Sequence, residues 1–101
     1  MPGVDLRNRE RLTFRVHAVQ RLFERGISED QVRKVLSQGK TIESYPDDRP
    51  YPSRLVLGWS ESRPIHLVVA DNLDEGETIV ITVYEPNLER WEPGFERRKG
   101  S

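Results

Sequence analysis

The chain has 101 residues, no cysteine, and a formal net charge of −1, with 35% apolar and 33% charged residues. That length suits one compact domain with a modest core, and the missing thiols exclude disulfides, thiolate nucleophiles and thiolate metal sites together. No apolar run approaches the roughly 20 residues of a membrane span, and none marks a secretory start, so a cytoplasmic protein is expected.

Residues 1–13 show no clean period and contain Pro2 and Gly3, which predicts a flexible arm. From Phe14 to Arg25 the apolar Val16, Val19, Leu22 and Phe23 recur at helical spacing, predicting a first helix with these as its inward stripe and Gly26 as its cap. Ser28-Glu29-Asp30-Gln31 has the S-x-x-Q form of a capping box, with Ile27 and Val32 placed as a hydrophobic staple. The second helix then runs to about Gln38, with Val32, Val35 and Leu36 inward.

After Gly39 the pattern changes to period two. Strands are predicted from Lys40 to Tyr45, Arg54 to Ser60, Ile65 to Ala70 and Thr78 to Tyr84. A Pro-rich loop and two connections short enough for hairpins separate them. The expected fold is α+β, with two N-terminal helices packed on a four-stranded antiparallel sheet within a single domain over residues 14–95. Ile65, Leu67 and Val69, with Ile79, Ile81 and Val83, are expected to receive the helices. Trp91 and Phe95 are expected to cover an open edge, and residues 96–101 to fray.

Strand parity places His66 on the face away from the helices, together with Thr82 and Tyr84, and Arg54 has the same option from the neighbouring strand. Metal-free cleavage of an RNA phosphodiester needs a base, an acid and a cation for the charged phosphorane. This set contains each chemical type. His66 suits proton transfer because an imidazole titrates near pH 6.5, and Arg54 offers forked donors that match phosphate oxygens. Tyr84 can donate to phosphate or stack a base, and Thr82 can orient either. Each also has an ordinary structural role open to it in a strand. On the first helix His17, Arg21 and Arg25 form an i, i+4, i+8 row, which is either a solvated face or a basic ridge for an RNA backbone or an acidic partner. With two histidines and no H-E-x-x-H spacing, neither a metal nor another cofactor is expected.

The charges divide along the chain. Residues 1–40 carry nine Lys or Arg against five Asp or Glu, and residues 41–93 carry four against eleven. The whole-chain balance gives no support for nucleic-acid binding, although the Arg-rich helical end can attract phosphate locally.

His17-Ala18-x-x-Arg21-x-x-Glu24-Arg25-Gly26-Ile27-Ser28 and Thr82-Val83-Tyr84-Glu85-Pro86 bracket Pro50-Tyr51-Pro52-Ser53-Arg54 and His66-Leu67-Val68-Val69. Four such motifs in this order over residues 14–92 resemble the domain of unknown function 4258 family. That family is similar in fold to the RelE and BrnT toxins of bacterial toxin-antitoxin systems. The resemblance implies a small metal-independent endoribonuclease, with His66, His17, Arg54, Tyr84 and Thr82 catalytic, Arg21 and Arg25 on the substrate, and a cognate antitoxin as partner. A net charge of −1 departs from the strongly basic ribosome-dependent toxins and favours free RNA over the ribosome. Two other readings stand beside it: a non-catalytic module that binds protein or RNA on the same scaffold, and a subunit that pairs through a sheet edge.

Overall fold

The computed structural model describes residues 11–100. In chain order they form strand β1 (Arg11–Phe14), helices α1 (Val16–Arg25) and α2 (Glu29–Gln38), then strands β2 (Lys40–Tyr45), β3 (Ser53–Ser60), β4 (Arg63–Asn72) and β5 (Glu77–Tyr84). The sheet order is β1-β5-β4-β3-β2. β2 to β5 form the expected antiparallel meander. β1 adds a fifth, parallel strand beside β5, so the sheet is mixed rather than the four-stranded antiparallel one expected. Of the arm expected over residues 1–13, residues 1–10 lie outside the described residues, and Arg11 to Thr13 belong to β1. Four residues pairing with β5 carry too little internal pattern to announce a strand, and only the partner satisfies their backbone groups.

Both helices lie on one face of the sheet, α1 against β5 and β1, and α2 against β3. The Ser28 side chain accepts from the Gln31 N–H while the Gln31 side chain accepts from the Ser28 N–H, so the capping box forms as read. Gly26 ends α1 in the left-handed conformation, φ 63°. The core joins Ala18, Ile27, Val32 and Val35 of the helical layer to Val56, Ile65, Leu67, Val69, Val80 and Val83 of the sheet. α2 sits so close to β3 that a Cβ on Gly58 would lie 2.6 Å from Val35 Cγ1.

Two expectations about facing are corrected. α1 buries Ala18 fully, with Leu22 partly buried, while Val16 and Phe23 are 75% and 84% exposed. Its roll is set where the chain enters, because Arg15 N–H donates to Val80 C=O at 3.0 Å directly after β1. The small Ala18 side chain then lets the helix seat closely on β5. In β5 the register shifts at Ile81, since Val68 pairs with Thr82 but Val69 pairs with Val80. This bulge breaks the alternation expected for Ile79, Ile81 and Val83 and puts Val80 and Val83 into the helical core.

Candidate functional site

The cross-strand register assigns the sheet faces. Val56 opposite Leu67 and Gly58 opposite Ile65 look toward the helices, and Leu55 opposite Val68 and Leu57 opposite His66 look away. On this outer face His66 lies opposite Tyr84, with Thr82 two residues along β5. Glu43, opposite Leu55, and Tyr45, opposite Ser53, join the face from β2. Parity thus brings together His66, Thr82 and Tyr84 as expected.

Arg54 does not join them. It pairs with Val69, which faces the helices. There it donates to Asp71 from Nε at 2.8 Å and from Nη2 at 3.3 Å, and to Thr41 Oγ1 at 3.2 Å. The sheet therefore stands between Arg54 and His66. His17, Arg21 and Arg25 are on α1, on the helical side as well. His17 and Arg25 are exposed, and Arg21 donates to Glu24 at 2.8 Å.

The outer face is not open. Residues after β5 turn at Asn87, whose side chain accepts from the N–H groups of Glu89 and Arg90, and fold back across the sheet as a strap. Trp91 and Phe95 cover the face rather than an edge. Trp91 is 3% exposed and its ring stands perpendicular to that of His66, ring centroids 4.5 Å apart, while Phe95 meets Trp59 at 6.0 Å. Residues 96–100, expected to fray, supply two ties. Glu96 pairs with Lys40 at 2.8 Å, and Arg98 donates to both carboxylate oxygens of Glu43 at 2.9 and 3.0 Å. Arg98 also lies over the Trp91 ring, 4.7 Å from its centroid. Burying two large aromatic rings supplies the main drive for this covering.

His66 is 0% exposed, and both ring nitrogens are bonded. Nε2 lies 2.9 Å from Phe95 C=O and Nδ1 lies 3.1 Å from the Tyr84 hydroxyl. A carbonyl only accepts, so Nε2 carries the proton and Nδ1 accepts from Tyr84. Burial pushes the His66 pKa down, against the upward pull of the Phe95 carbonyl, so the ring is held neutral. Burial likewise raises the Tyr84 phenol. The Arg98 hydrogen bonds hold the Glu43 carboxyl below its ordinary range, and Tyr45 donates to the same carboxylate. With the strap in place, His66 joins three parts of the fold and meets no solvent.

The sequence reading missed Glu43, Tyr45, Trp91 and Arg98 as neighbours of His66. Glu43 and Tyr45 alternate along β2, a signal that was available. No spacing relates Arg98 to Glu43, 55 positions away. Among the described residues no three His, Asp or Glu side chains gather as metal ligands, and no helix is long and apolar enough to cross a membrane.

The helical layer offers a second feature. Val19, Leu22, Phe23 and Ile27, with Gln31, line a hollow of about 370 Å³. Val16 extends this apolar surface along α1, and neither Arg15 nor Arg25 at its ends has a side-chain partner among the described residues.

A family model described as a domain of unknown function (DUF4258) matches residues 14–85. No curated protein and no solved structure matches the chain.

Proposed function

The chain belongs to the family of this domain of unknown function (DUF4258), and from that premise we propose a non-catalytic protein-binding module whose contact surface is the exposed side of α1. The carrying observation is that Val16 and Phe23 stand in solvent beside an apolar hollow, although α1 has a buried side of its own. Apolar residues spaced i, i+3 and i+7 on one helix, flanked by cations, suit an amphipathic partner helix with acidic margins. A photoreactive residue in place of Phe23, in cells that make the protein, is expected to yield a discrete protein adduct that Val19→Ser abolishes. The same adduct from a probe at the exposed Leu88 would sink the assignment.

A second reading is a metal-independent endoribonuclease of the toxin class, cytoplasmic and held by a cognate antitoxin. It is supported by His66, Thr82 and Tyr84 on one face with the Arg98 guanidinium beside them, and it rests on the toxin-like fold that the family resemblance implies. Incubation with mixed RNA in chelator tests it. Cleavage by the wild type, or by Trp91→Ser with the strap loosened, that is lost on adding Tyr84→Phe or His66→Gln supports it, and intact RNA with both the folded wild type and folded Trp91→Ser refutes it.

A further inference from the structure

The strap over the outer face holds its own shape apart from the sheet it covers. Its backbone hydrogen bonds close on itself: Glu92 N–H to Arg97 C=O at 2.8 Å, Phe95 N–H to Glu92 C=O at 2.9 Å and Lys99 N–H to Arg90 C=O at 2.8 Å. Among the described residues it is tied to the sheet through side chains and through the Phe95 carbonyl on His66, so lifting it leaves the strand ladder intact. It also lies beyond residue 85, where the family match ends. What it presents is specific. An aromatic ring meets the His66 ring edge to face, a guanidinium stacks on that aromatic and forks onto Glu43, and one carbonyl accepts from His66 Nε2. That carbonyl is aimed inward by two successive left-handed residues, Gly94 at φ 91° and Phe95 at φ 62°. The non-glycine one costs about 1 kcal/mol, which the chain retains while the contacts hold it.

We propose that the outer face, formed by Glu43, Tyr45, Trp59, His66 and Tyr84, is a recognition site for a peptide bearing a tryptophan and an arginine, occupied in cis by residues 86–99. The charge decides the ligand class. With the strap lifted, the ionised Glu43 is left without Arg98, so the face favours a cationic peptide and repels a phosphate backbone. The buried Leu55 and Leu57 of the same face and the perpendicular imidazole ring supply the aromatic slot. A second protein reaches the site by displacing the strap, whose tether gives it an effective concentration on the order of millimolar. This surface is separate from the α1 side, on the opposite face of the sheet.

The test uses the full chain and a fluorescein-labelled peptide of its own residues 86–100, read by anisotropy. Arg98→Ala in the protein weakens only the cis strap, so the unaltered peptide is expected to bind that variant at least about tenfold more tightly than wild type. A peptide carrying Trp91→Ser or Arg98→Glu is expected to lose that binding. Because the chain has no cysteine, Lys40→Cys with Glu96→Cys can be joined by a short bis-maleimide at the native ion pair, which is expected to exclude the peptide. Equal binding to wild type and Arg98→Ala, or an undiminished Trp91→Ser peptide, overturns the proposal. Should Arg98→Ala fail to fold by circular dichroism, the joined and unjoined double variants decide alone, and equal binding by both overturns it.

Discussion

His66 of β4 and Trp91 of the strap meet with ring planes 88° apart and centroids 4.5 Å apart, so the histidine that most resembles a catalytic base is the anchor of a cover. The electropositive ring edge of one aromatic on the face of another is a favourable pairing, worth about 0.5–1.5 kcal/mol beyond the area buried. The hydrogen bonds from His66 to Phe95 and from Tyr84 to His66 complete the anchor.

Stability should therefore depend on pH through this ring. His66 has a lowered pKa in the fold, against about 6.5 in the unfolded chain, so below that pH the unfolded state binds the extra proton. Its contribution is full above pH 6.5 and is lost as pH falls toward the native value. Among the described residues the charged or titratable groups facing it are Glu43, Arg98, Tyr45 and Tyr84, and the Glu43 carboxyl loses its own contribution in the more acidic carboxylate range with the same sign. Urea midpoints should drop between pH 7.5 and 5.5 in wild type and change less in His66→Gln. Parallel curves would remove His66 from the effect.

Arg54 and Asp71 form a partly exposed pair on the helical side. A double-mutant cycle with Arg54→Leu and Asp71→Leu should give a coupling of about 1 kcal/mol, limited by solvent screening. The same Arg54 variant should leave peptide binding on the outer face unchanged, because the sheet separates the two sites. A changed affinity would show that Arg54 reaches that face.

Gly58 is a contact position. The 2.6 Å approach that a Cβ would make to Val35 predicts that Gly58→Ala costs about 1–3 kcal/mol through overpacking. Val35→Ala alone opens a cavity, yet combined with Gly58→Ala it should lose less than the sum of the two, measured by urea unfolding. Strict additivity would mean that α2 shifts away instead.

On α1 the two sides should respond oppositely. Phe23→Ser, at a solvated position, should change stability by no more than about 0.5 kcal/mol. Ala18→Leu, at a position with no exposure, should cost about 1–3 kcal/mol or more. The reverse order in thermal or urea unfolding would restore the inward stripe expected from the spacing.

Features that depend on neighbours within a few positions are legible in the chain alone. The S-x-x-Q box at Ser28, the left-handed cap at Gly26, the α+β order of the central elements and the common face of His66, Thr82 and Tyr84 all follow from local hydrogen bonds and fixed periods. The Ile81 bulge spared that last relation because it falls before Thr82. The remaining features arise from contacts between distant parts of the chain. Parity shows which residues of β3 share a side, but apolar residues occupy both sides, so it could not show that Arg54 goes with Val56 toward the helices. The same holds for α1, whose periodic Val16, Val19 and Phe23 mark a surface without saying what meets it. The β1 pairing with β5 and the strap across His66 join residues about 30 to 65 positions apart. Such long-range choices are set by where backbone groups find partners and by which surface the large aromatic rings can bury, and neither is written in local spacing.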